Sequence, residues 1–248
     1  MVKKKIGSGT LLFAMLLVCM VLVPAVSAQE NSKTSDKPSQ LEQGLIDALN
    51  SNTKLSTDNM IANYCKANKD KISKNSFSSN NPSRYQLKDG SNITFTKDGY
   101  IVIDSSKEEA NKYTTQPNNK NNRMNPQWVV PPAYTNTITY SVTWYNYLGW
   151  KLFTVYTKGY FGYDYNTVEA YHTDSWYTKY IVFNPWEVAN WQEGAQPTSS
   201  TTAEVYCKGR FSWGYTVAGN YIKVQDKYIK LYISCNKYGQ VTKGYIDS

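Results

Sequence analysis

The stretch that decides the fold is Thr137-Ile138-Thr139-Tyr140-Ser141-Val142-Thr143-Trp144. Ile138, Tyr140, Val142 and Trp144 alternate strictly with Thr137, Thr139, Ser141 and Thr143. A strand sends successive side chains to opposite faces, so this period of two reads as a strand with one buried face. A helix, with its longer period, would scatter both sets around its surface.

Working outward towards the C-terminus, Leu148-Gly149 supplies a turn. Residues 150–162 then resume with Leu152, Phe153, Val155, Tyr156, Tyr160 and Phe161. A third run covers 163–173 and a fourth Trp176–Phe183, and residues 184–200 read as a loop. Beyond it Ala203, Val205, Cys207 and Gly209 alternate with Thr202, Glu204, Tyr206 and Lys208. After Tyr221–Val224, the residues Ile229, Leu231, Ile233 and Cys235 alternate with Tyr228, Lys230, Tyr232 and Ser234. A last short strand is expected over Val241–Ile246. So many short strands, separated by regular turns, predict two antiparallel sheets packed face to face.

Towards the N-terminus, residues 105–133 crowd asparagines (Asn111, Asn118, Asn119, Asn121, Asn122, Asn125) with Pro117, Pro126, Pro131 and Pro132, the composition of a linker or a long surface loop. Before it, Lys97-Asp98-Gly99 joins Ile93–Thr96 to Tyr100–Ile103, a hairpin signal. Leu41, Leu45, Ile46 and Leu49 form one helical face with Ser39 as its cap. A second helix is predicted over 57–69, with Met60, Ile61, Tyr64 and Cys65 on its apolar side and Ser56 or Thr57 capping it. The predicted fold is therefore mainly β. It consists of a Tyr/Trp-rich antiparallel β-sandwich over 134–248, preceded by a small α+β N-terminal unit over 29–104 and a linker over 105–133.

Lys3, Lys4 and Lys5, the apolar run Leu11–Val23 and the small residues of Val26-Ser27-Ala28 read together as a secretory signal peptide over residues 1–28. The apolar run is too short for a membrane-spanning helix. Val18, before Cys19, is not the small residue a lipid-anchor signal needs. The chain is expected to be secreted and extracellular. The formal charge of +8 falls to +5 once the three leading lysines are removed. That balance favours a bacterial envelope component as partner, whether an anionic wall polymer, a lipid or a glycan. No tight Lys/Arg cluster marks a nucleic-acid groove.

Cys65, Cys207 and Cys235 follow the expected cleavage point. Cys207 and Cys235 lie on apolar faces of strand patterns and are expected to form a disulfide, leaving Cys65 as a buried free thiol or an intermolecular one. No spacing resembles a metal site, and no cofactor motif is present.

The segment Trp144-Tyr145-Asn146-Tyr147-Leu148-Gly149-Trp150-Lys151-Leu152-Phe153, followed by Gly159-Tyr160-Phe161-Gly162-Tyr163-Asp164-Tyr165-Asn166, resembles a diffuse group of small exported β-proteins of Gram-positive bacteria. The resemblance covers the last half of the chain. The overall plan, a signal peptide before a cationic chain without an enzyme motif, is similar to that of some large secreted bacteriocins. It implies an antibacterial protein acting at the envelope of competing bacteria; the alternative is a non-catalytic carbohydrate or cell-wall binding protein.

No catalytic set is predicted. His172 is the single histidine, with Asp174 and Ser175 beside it, but no nucleophile-elbow sequence accompanies them. Asp164, Glu169, Asp174, Glu187, Glu193 and Glu204 offer carboxylates that spacing alone does not pair. The aromatics are the distinctive feature. Eighteen of 22 tyrosines and six of seven tryptophans fall between 134 and 248, on both faces of several strands. A core uses one face, so the surplus either forms cross-strand pairs or builds a binding surface. Trp150, Trp176, Trp186 and Trp191 are the expected exposed binding residues, the last two because they fall in the predicted loop.

Overall fold

The computed structural model describes residues 37–51, 54–73, 76–77, 83–111, 133–180, 186–217 and 220–248. The signal peptide expected over 1–28 and the Asn/Pro-rich residues 112–132 lie outside them.

Among the described residues two helices lead: α1 (Gln40–Leu49) and α2 (Thr57–Ala67). Ser39 caps α1 as expected. Its hydroxyl accepts from the Glu42 amide, and the Glu42 carboxylate accepts from the Ser39 amide. Ser56 caps α2 by accepting from the Asn59 amide.

All strand pairs are antiparallel. The larger sheet holds β1 (Ser83–Gln86), β2 (Asn92–Phe95), β3 (Ile101–Glu109), β4 (Ala133–Tyr134), β5 (Thr137–Tyr145), β6 (Lys151–Tyr163) and β7 (Val168–Lys179). Its order is β1-β2-β3-β5-β6, with β4 continuing the line of β5 along one side of β6 and β7 on the other. The smaller sheet has the order β11-β10-β9-β8: β8 (Trp186–Ser199), β9 (Thr202–Val217), β10 (Asn220–Asn236) and β11 (Val241–Asp247).

The sandwich core lies between the sheets. Ile138, Tyr140, Val142 and Trp144 of β5 all point into it, as their alternation requires, and meet Val205, Phe211 and Leu231 of the smaller sheet. Phe153 stacks on Phe211 at 4.8 Å and on Trp144 at 4.9 Å, bridging the two layers. The first four residues of β3, 101–104, are buried on both faces, which explains the unbroken Ile-Val-Ile run. Val102 enters the sandwich with Trp144, while Ile101 and Ile103 join Leu45, Ile61 and Phe95 in a second core under the helices.

Several boundaries differ from the sequence reading. Residues 105–109, assigned to the linker, continue β3 and pair with β5 from Ile101↔Tyr145 to Glu109↔Thr137. The N-terminal strands therefore belong to the same sheet as β5–β7. The two runs predicted around 163–183 are one strand, Val168–Lys179, whose period is reset by a bulge at Thr173. Residues 186–199, read as a loop, form β8, and the two runs from Tyr221 to Cys235 are one strand.

The expected disulfide is absent: Cys65, Cys207 and Cys235 are free and buried. Cys207 and Cys235 do share the inward face, but Cys207 is paired with Leu231 and Cys235 with Ala203. That four-residue offset separates them by about 13 Å along the strands, roughly twice the Cα distance a disulfide spans.

Candidate functional site

The four tryptophans expected on the surface do not converge. Trp186 is buried in the sandwich, edge-on to Phe153 at 5.1 Å. Trp191 is half-buried against Tyr177 at 5.1 Å and lies over Gly209, with its indole N–H donating to Glu193. Both face inward because β8 is a strand rather than a loop. A bulge between Ala189 and Gln192, where Asn190 takes φ 54°, returns Trp191 to the side that Trp186 and Val188 occupy. Trp176 stands on the outer face of the larger sheet, stacked on Tyr156 at 4.5 Å and 9°. Trp150 is the most open of the four, 59 % exposed in the β5–β6 turn, and Trp176 keeps 36 % of its surface exposed. Gly149 brings that turn against α2, 3.0 Å from the Ile61 carbonyl and the Ala62 Cα at its Cβ position.

His172 does not meet Asp174. The register runs Gly159↔His172 and Lys158↔Asp174, so Thr173 is the extra residue and Asp174 turns to the opposite face. The bulge instead aligns His172 with Ser175. The His172 Nε2 lies 2.9 Å from the Ser175 Oγ, and Ser175 donates to the Thr157 Oγ1 at 3.0 Å. Ser175 and Thr157 are buried, so this is a chain of satisfied polar groups inside the sandwich.

On the larger sheet's outer face the aromatics largely consume one another. Tyr160 stacks on Tyr171 at 4.8 Å and 11°, repeating the Tyr156–Trp176 pair, and Tyr134 tilts against both tyrosines. Rings packed face to face offer mainly their edges to a ligand.

The smaller sheet's outer face is built differently. Residues that alternate with the buried Val205, Cys207, Leu231 and Ile233 point out, and register assembles them into rows across all four strands. One row reads Gly194, Tyr206, Tyr232, Gly244. The row on one side is Gln196, Glu204, Ser234, Thr242; on the other it is Gln192, Lys208, Lys230, Ile246.

Tyr206 and Tyr232 sit directly opposite each other and turn their rings apart, each across the glycine of the adjacent strand. A Cβ on Gly244 would fall 2.5 Å from the Tyr232 hydroxyl and 2.7 Å from its Cζ. A Cβ on Gly194 would lie 3.8–4.0 Å from the tip of Tyr206. Gly244 therefore lets the half-buried Tyr232 ring lie down along the sheet, whereas a Cβ on Gly194 would only touch the tip of Tyr206 in ordinary van der Waals contact. Among the described residues neither ring stacks on another.

The gap between the rings is filled by an ion pair. Lys230 passes between them, its ammonium 5.5 Å from the centre of Tyr206 and 5.8 Å from that of Tyr232. It donates to the Glu204 Oε1 at 2.7 Å, where the Gln196 side-chain amide also donates at 2.7 Å. The Glu204 side chain is only 7 % exposed and that of Lys230 19 %. The result is a flat surface ordered ring, ammonium and carboxylate, ring.

In the sequence Glu204 was one of several carboxylates that spacing did not pair, and Tyr206 and Tyr232 were marked only by their alternation. The available signal was the pair of glycines interrupting strands, Gly194 and Gly244; register places a tyrosine beside each, and at Gly244 the ring leaves no room for a Cβ. No family model, curated protein or solved structure matches this chain.

Proposed function

We propose that this is an exported, non-catalytic glycan-binding protein that uses the outer face of its smaller sheet. The observation that carries the reading is the Gly194–Tyr206–Tyr232–Gly244 row, which lays two aromatic rings on a solvent-facing sheet with hydrogen-bonding side chains on both sides. Pyranose rings pair an apolar C–H face with a rim of hydroxyls. An aromatic ring beside carboxylate, amide and hydroxyl groups complements both features. Lys208, Ser234, Thr242 and Gln192 extend the polar margin across the strands.

Retention on insoluble polysaccharides and purified Gram-positive cell walls tests the reading. The wild-type protein is expected to be retained, and Tyr206→Ala with Tyr232→Ala to be released while its near-UV circular dichroism stays native. Equal retention of the double variant on every matrix would overturn the reading. The antibacterial role expected from the sequence is placed downstream of this contact, and growth inhibition on lawns of related bacteria, with the same two proteins, reads it.

A further inference from the structure

Resting on that reading, we infer that the ligand is a neutral, extended β-1,4-linked polysaccharide that crosses the strands, with alternate sugars on Tyr206 and Tyr232 and the intervening sugar over the Glu204–Lys230 pair.

Charge selects the class. Among the described residues the ionic groups between the rings are Lys230 and Glu204, which neutralise each other at 2.7 Å, while Lys208 stands at the margin with its ammonium 5.5 Å from the centre of Tyr206. The neighbouring Arg210 and Lys223 are likewise engaged, both by Asp226 at 2.9 and 3.2 Å. An anionic polymer would meet a carboxylate already occupied by the one central ammonium. Sugar hydroxyls lose nothing by comparison, since they both donate to Glu204 and accept from Lys230 or Gln196.

Spacing selects the linkage and length. The two tyrosines start one strand spacing apart and each ring reaches towards the next strand, which places the ring centres about 10 Å apart. That is the separation of alternate, not adjacent, sugars in an extended chain. In a β-1,4 chain consecutive pyranoses are flipped, so alternate ones present the same apolar face, as two rings on one sheet require. All-equatorial substitution also keeps such a chain flat enough to touch both rings together. The middle sugar, with its edge turned down, sits where Glu204 and Lys230 offer an acceptor and a donor.

Calorimetric titration of the full chain with cello-oligosaccharides of increasing length tests this. Affinity is expected to step up about tenfold between the disaccharide and the trisaccharide, because the third sugar is the first to reach the second ring. Raising sodium chloride from roughly 0.05 to 0.5 M is expected to change trisaccharide affinity less than about twofold, since no net charge is neutralised. Tyr206→Ala should abolish the length step, while Tyr206→Phe keeps it, which separates ring contact from folding damage.

A disaccharide that binds as tightly as the trisaccharide overturns the inference while leaving glycan binding standing. So does retention only by an anionic wall polymer such as purified teichoic acid, lost in high salt. No binding to any glycan removes the proposed function itself.

Discussion

Lys227 shows how a single side chain ties the layers together. It belongs to β10, is 6 % exposed, and sends its ammonium to Asp247 of β11 at 2.7 Å and to Asp98 of the β2–β3 turn at 2.9 Å. Asp247 in turn accepts from the Trp144 indole at 3.2 Å. One lysine thus joins the smaller sheet to the turn and central strand of the larger one. Removing one partner from a buried ion pair costs about 3–5 kcal/mol, because the remaining charge stays out of water. Lys227→Met is expected to lower unfolding free energy by that order in urea titration; a loss below about 1 kcal/mol would show that the contact is not maintained in solution. The buried thiols and phenols make a second prediction at this scale. Burial raises Cys207 from 9.0 to about 12, and Tyr100 and Tyr245 from 10.0 to about 12. These groups ionise in the unfolded chain at lower pH than in the native one, so above the unfolded values the unfolded state holds fewer protons. Stability is then fully present below about pH 9 and drains away as pH rises through the native values near 12. Urea midpoints measured at about pH 8 and about pH 11 should show the fall. Added dithiothreitol should leave the midpoint at the lower pH unchanged, because no disulfide joins Cys207 to Cys235.

At the scale of elements, glycine marks where strands approach too closely for a side chain, and the outcome of adding one depends on what lies opposite. A Cβ on Gly159 of β6 would fall 2.5 Å from the Tyr171 carbonyl oxygen and 2.7 Å from a Val205 methyl. One contact is backbone in the same sheet and the other is core from the facing sheet, so neither yields easily. Gly159→Ala is expected to cost about 1–3 kcal/mol as overpacking. Gly244→Ala instead meets the hydroxyl end of the Tyr232 side chain rather than backbone. It should displace that ring, weakening trisaccharide binding about tenfold if the ring contact is lost, with little change in thermal midpoint. Equal thermal losses in the two variants would contradict this contrast. The same elements show what sequence can convey. The alternation of β5, the Asp98-Gly99 turn and the Ser39 cap are encoded within a few residues, and each was readable. Bulges were not, because one extra residue inverts the apparent faces. Thr173 made β7 look like two strands, and Asn190 made β8 look like a loop, which put Trp186 on the surface when it is in the core. The proposed binding row needed register across four strands, and no local pattern specifies that Gly194 stands beside Tyr206 or Gly244 beside Tyr232.

At the scale of the whole molecule, the central question is whether the sandwich exists without the residues before the Asn/Pro-rich segment. Composition suggested an independent domain over 134–248, whereas the pairing shows a sheet shared across that boundary. β3 covers one entire edge of β5, from Ile101↔Tyr145 to Glu109↔Thr137. Val102 fills the sandwich beside Trp144, and Tyr145 is buried on the other side of the sheet with Ile101 and Ile61. The Asp98–Lys227 ion pair adds a tie from the N-terminal strands to the smaller sheet. A chain beginning at residue 134 would expose the full edge of β5, a template for association, and would strip Trp144 and Tyr145 of apolar neighbours. Expressed alone, residues 134–248 are expected to lack a cooperative thermal transition and to aggregate, while residues 37–248 melt in one step. Supplying residues 37–111 as a separate polypeptide should recover the transition, because the missing strand pairs by backbone hydrogen bonds and apolar burial rather than by covalent connection. A fragment of 134–248 that melts cooperatively at the full chain's temperature would mean that β3 decorates the sheet instead of completing it. Loss of the transition would instead make β1–β3 part of the scaffold that holds β10, and with it Tyr232 and Lys230, in place.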